Sequence, residues 1–153
     1  MVSSNNIEDD NELDWDPNLE LGYEIIDAEH RILHKLIVDF QEAVIQNAPK
    51  EKLTQILEDV IRYAGLHFAN EEKVMAEYHY PKLDEHAILH KELLARVKDS
   101  CAQFQQDRLE VTHMYEFLLN WFAFHTSHQD KELVIYINNS SLRPLLTALH
   151  KNS

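Results

Sequence analysis

His67 and Glu71 stand four residues apart, as do His86 and His90, and His125 precedes Asp130 by five. Residues four apart on a helix lie one above the other on the same face, so the first two pairs can act on adjacent atoms. His30 adds a fifth imidazole. Each of these seven side chains interrupts an otherwise apolar stripe. Imidazole and carboxylate together suit iron, manganese or zinc. A buried carboxylate without a partner costs several kcal/mol, so Glu71 and Asp130 inside one small core require a shared cation or a dense hydrogen-bond network.

The elements that must carry these residues read as helices. Gly 2 and Pro 4 in 153 residues leave long stretches without a strong breaker. Apolar residues recur at three- and four-residue steps from about Ile25 to the Ala48-Pro49 break, and from Leu53 to a stop before Pro81. A third run goes from about Lys82 to about Asp107, and a fourth from about Glu110 to Ile137. The expected fold is all-α, an up-and-down antiparallel four-helix bundle over residues 14–138. An ordered N-terminal arm, "WDPNLELGYEIID", precedes the first helix. Residues 1–13 read as a mobile acidic lead-in, and 139–153 as a short C-terminal tail set off by "NNSS".

In such a bundle the starts of the first and third helices share an end with the finishes of the second and fourth. All seven residues therefore fall in one half of the bundle. His125 and Asp130 are about 140° apart on a regular helix, so either Asp130 reaches sideways or the helix is overwound or bulged there, and an irregularity is expected near residues 126–130. The remaining histidines fit less well. His34 lacks partners at its depth, His79 belongs to a turn, His113 is at the wrong end, His128 is on another face and His150 is in the tail. Glu72 points about 100° away from Glu71 and reads as solvated.

Composition narrows the partners. A formal charge of −13 repels phosphate backbones and anionic lipid surfaces, so neither nucleic acid nor membrane is expected. Cys101 is the single cysteine and no signal peptide is evident, which fits a reducing, cytoplasmic setting. The chain is expected to be a monomer, and its acidic surface leaves room for an unidentified protein partner.

Two carboxylates shared between ions imply a pair of metals about 3.5 Å apart. Two octahedral irons offer twelve positions, and five imidazoles, two bridging carboxylates and one bridging oxygen fill all but one. A single open position near Phe68, Trp121 and Phe122 suits one small neutral molecule, and dioxygen is the natural candidate. No further acid or base is placed to cleave it, so reversible binding is expected and the chain is not expected to be an enzyme.

The pieces "WDPNLELGYEIIDAEH" ending in His30, "HFANEEKVM" from His67, "YPKLDEHAILH" ending in His90 and "WFAFHTSHQD" ending in Asp130 resemble the bacterial hemerythrins, the HHE di-iron family, over about residues 15–137. The resemblance implies two iron ions with an oxo or hydroxo bridge. His86, His90 and His125 would hold one iron, His30 and His67 the iron that takes dioxygen, and Glu71 and Asp130 would bridge. It further implies oxygen storage, delivery or sensing. Thr126 and His128 depart from the family's pattern, and if either faces the cavity, water and protons enter more easily and autoxidation is faster. Two other classes compete. One is a di-iron oxidase or ferroxidase-like enzyme built on two Glu-x-x-His pairs, of which this chain has one, Glu110 and His113. The other is a structural metal-binding bundle.

Overall fold

The computed structural model describes Trp15 and residues 17–140. The lead-in over 1–13, the tail beyond residue 140 and His150 lie outside the described residues. Four helical rods account for most of the chain, with no strand among the described residues. Helix α1 spans Glu24–Ile45, α2 Lys50–Glu77, α3 Leu83–Gln105 and α4 Val111–Phe124. A π-helical turn, His125–Asp130, then leads into further α-helix over residues 131–140. Each of α1 and α3 packs against both α2 and α4, which closes a four-cornered bundle.

The loops are short because each helix is stopped by its own chain. Asn47, His79 and Asp107 follow the last residues of α1, α2 and α3, and all three adopt positive φ, between 52° and 58°. That left-handed residue turns the next amides back onto the orphaned carbonyls. Ala48 donates to Ala43 O at 2.9 Å, Tyr80 to Met75 O at 2.9 Å and Arg108 to Gln103 O at 2.8 Å. Glycine usually fills this position, and here Asn, His and Asp do. The chain therefore ends three helices without spending a glycine on any of them.

The "NNSS" stretch does not end the fourth rod where expected, since residues 138–140 remain helical. Asn and Ser are weak helix formers but do not break the backbone as Pro does, and Pro144 is the next breaker.

Each rod buries one stripe. Leu33, Ile37 and Phe40 of α1 pack in one cluster with Leu57, Val60 and Ala64 of α2, Val97 of α3 and Leu118 of α4, and full burial of each large aliphatic side chain stabilises by ~1.5–3 kcal/mol. The core falls into two apolar clusters. The larger ends at Leu33, Phe68, Leu93, Trp121 and Phe122, and the smaller gathers Ile26, Met75, Tyr80, Leu133, Val134 and Ile137.

The arm is anchored by one buried acid. Asp27 accepts from the amides of Leu21 at 2.8 Å and Gly22 at 3.0 Å, and Gly22 takes the φ of 94° that this reversal needs. Trp15 then lies edge-on to the rings of His34 and Phe122.

Candidate metal centre

Between the two apolar clusters sit seven polar side chains, all buried: His30, His67, Glu71, His86, His90, His125 and Asp130. They come from all four rods, and their tips converge. His30 Nε2 lies 2.8 Å from Asp130 Oδ2 and 3.6 Å from Glu71 Oε1. His67 Nε2 contacts Glu71 Oε1. His86 Nε2 is 3.2 Å from Asp130 Oδ1 and 3.5 Å from Glu71 Oε2, and His90 Nε2 is 3.5 Å from the same Glu71 oxygen. His125 Nε2 completes the set, 3.1 Å from Asp130 Oδ1.

The last of these contacts depends on the π turn. A turn closed five residues on, instead of four, brings His125 and Asp130 onto one face. The irregularity expected from their spacing is therefore present where the spacing requires it.

Whether the residues fit a metal can be judged from their unmet hydrogen bonds. The Nε2 atoms of His67, His86, His90 and His125, both oxygens of Glu71 and Oδ1 of Asp130 are buried with no hydrogen-bond partner. Each such atom costs ~1–3 kcal/mol or more if left so. They are all lone-pair donors of the kind that ligate cations, and they point at one another. The donor set fits.

The outer ring nitrogens explain why the Nε2 atoms are free. His67 Nδ1 donates to Glu29 Oε1 at 3.3 Å, His90 Nδ1 to Glu72 Oε2 at 3.3 Å and His125 Nδ1 to Gln129 Oε1 at 3.2 Å. A proton held at Nδ1 leaves Nε2 with a lone pair facing inward, the usual arrangement behind a ligating histidine. Asn70 donates to the other oxygen of Glu29 at 2.8 Å and so fixes that carboxylate. Glu72, expected to be solvated, keeps a third of its side chain exposed and also reaches His90 at the seam between α2 and α3. Glu29, Gln129 and Asn70 were not legible as part of the site. One available signal was the adjacency of Glu29 to His30, and of Gln129 to Asp130.

Electrostatics bind the cluster together. Burial raises the carboxyl pKa of Glu71, but the charge of His67 and the close imidazoles of His125 and His30 outweigh it and hold the group well below its ordinary range. Asp130, raised by burial and by Glu71, is brought down to about 2 by His125 and His30. Burial lowers His67, yet Glu71 and Glu29 push it up to about 10. His30, His86 and His125 are also raised, burial being overcome by the two carboxylates.

The donors divide into two overlapping groups. Glu71, His86, His90, His125 and Asp130 form one, and His30, His67, Glu71 and Asp130 the other. Both carboxylates belong to both groups.

The family model for the "Hemerythrin HHE cation binding domain" matches residues 21–137. The chain belongs to the hemerythrin family. Similar relatives include a bacteriohemerythrin of Clostridium acetobutylicum, 27% identical over 126 residues that cover 78% of this chain and 97% of the relative. A myohemerythrin of Theromyzon tessulatum is 30% identical over 106 residues, 69% of this chain and 81% of its own length. A bacteriohemerythrin of Pseudomonas aeruginosa is 24% identical over 126 residues, 82% of each chain.

Against that family background, the residues outside the cluster are also placed. His34 is half-buried between Trp15 and Phe122, with ring centroids 5.6 and 5.7 Å away. His79 is in the α2–α3 loop, and His113 is exposed near the start of α4, as is Glu110 just before it. His128 is exposed beside Phe124 and does not face the cluster. Thr126 is buried, but its hydroxyl donates to Phe122 O at 2.9 Å within its own helix. Phe68 stacks flat on His90 at 4.2 Å and meets His125 edge-on, while Phe122 stands edge-on to His30.

Proposed function

We propose that this chain binds dioxygen reversibly at a non-haem pair of iron ions. In this reading His86, His90 and His125 hold one ion, His30 and His67 hold the other, and Glu71 and Asp130 span both, with an oxo or hydroxo bridge between them. One observation carries it: the two donor groups share both carboxylates and divide the histidines three to two. Unequal division leaves one ion short of a donor, and the open position falls on the side of His30 and His67. When bound, a reduced iron pair would supply the electrons that hold dioxygen and would take them back on its release.

The protein's own contribution is orientation and exclusion. Glu29, Glu72 and Gln129 fix three imidazoles in the tautomer that presents Nε2. Phe68 and Phe122 pack against cluster histidines and limit water. The nearby acids are held by other groups: Glu29 by His67 and Asn70, and Glu72 by His90. Such an arrangement suits binding over turnover. Glu110 and His113, the pair an oxidase would need, are at the opposite end of α4 from His125.

The test is the visible spectrum of anaerobically iron-loaded protein before and after air. The reading requires a colourless reduced form and a band that appears with oxygen and fades under vacuum. His67→Ala should abolish the band and His34→Ala should leave it. A colourless, air-stable loaded protein would favour a structural metal site.

A further inference from the structure

The cluster is closed on most sides, yet an ion must reach it. Glu29 and Asn70 seal the outer edge of His67, and Glu72 that of His90. His86 differs. It forms part of the wall of a surface pocket of about 320 Å³. The same pocket is lined by Gln129, the residue that holds His125 Nδ1. It therefore touches one cluster histidine directly and a second through one amide.

The rim of this pocket is acidic. Glu85 and Glu92, two turns apart on α3, face Glu132 on the fourth rod, and all three are exposed. One ammonium is present: Lys82 Nζ lies 3.1 Å from Glu132 Oε2. The rim thus carries three negative charges against one positive. A second feature sets the pocket apart from an ordinary acidic surface. Its inner wall is a ligand-type side chain, His86, 4% exposed, whose Nε2 has no hydrogen-bond partner and lies within 3.5 Å of both cluster carboxylates.

We propose that this pocket is the port through which divalent cations reach the centre, with Glu85, Glu92 and Glu132 as transient outer ligands and His86 as the first inner ligand met. It rests on the metal-centre reading above. Carboxylates exchange with the water shell of a hard divalent ion, and a cleft lined by one sign of charge raises the encounter rate about tenfold to a thousandfold. Lys82 opposes this attraction by occupying Glu132.

Uptake of Co2+ by the metal-free full-length protein, followed by stopped-flow visible absorption, tests the port. The triple variant E85Q/E92Q/E132Q should take up the ion at least tenfold more slowly, yet reach the wild-type metal content. A charge-matched control elsewhere on the surface, E51Q/E58Q/E116Q, should stay within about twofold of wild type. Lys82→Met should load faster. Added salt should slow wild type and leave the port variant nearly unchanged. Port and control variants with equal rates would overturn the port while leaving the centre standing. Failure of wild type itself to take up metal would overturn both.

Discussion

Glu29 and His67, thirty-eight residues apart, meet behind the cluster, where Glu29 Oε1 accepts from His67 Nδ1 at 3.3 Å and Asn70 holds the other oxygen. The carboxylate thereby sets which nitrogen of His67 faces the centre. Replacing it with Gln or Ala should lower metal affinity roughly ten- to a hundredfold, with the helical content unchanged. Competition against a chelator reads this out, and Asn70→Ala should show a smaller loss of the same kind. Wild-type affinity in both variants would remove Glu29 from the site.

The metal-free protein should lose stability as pH rises. His67 has a folded-state pKa raised to about 10 from an ordinary 6.5, so its contribution is full below about 6.5 and is lost as pH climbs through 10. Asp130, brought down to about 2 from 3.8, works in the other direction and weakens the fold only below about pH 4. Thermal melts of metal-free protein should therefore decline between pH 7 and 10. Metal-loaded protein should lack that decline, because ligating imidazoles are already neutral.

His79 ends α2 with a φ of 52° and an exposed side chain. Glycine adopts that conformation without steric cost. His79→Gly should therefore stabilise by about 0.5–1 kcal/mol, a rise of roughly 1–4 °C in Tm, and leave metal content unaltered. A drop in Tm would show that the loop is not strained at this residue.

Thr126 ties its hydroxyl to Phe122 O at the mouth of the π turn. Thr126→Val keeps the shape but removes that bond, and should cost about 1 kcal/mol. The oxygen-dependent band should persist, since the hydroxyl is turned toward backbone. Loss of the band would place Thr126 in the binding cavity.

The seven inward residues were legible because helical periodicity fixes the face on which a side chain lies, and antiparallel order fixes the end. His125 and Asp130 pointed to an irregularity near residues 126–130, since five residues do not close on a regular helix, and the structure has a π turn there. Periodicity says nothing about where the neighbouring axis runs. The contact that Glu72 makes with His90 across the α2–α3 seam was for this reason not foreseen. Glu29 and Gln129 escaped for the same reason. The ends of the first three helices were legible to within a few residues from Pro49, Pro81 and the fading periodicity near Asp107, whereas the left-handed turns at Asn47, His79 and Asp107 were not, because these residue types also occur freely inside helices and loops.

The central claim is that these side chains together hold two metal ions, and iron content of anaerobically reconstituted, desalted protein tests it most directly. Two irons per chain are expected in wild type and in His34→Ala, with both ions weakened or lost in Glu71→Ala. A stoichiometry of one or none in wild type, or two irons retained firmly without Glu71, would contradict the account.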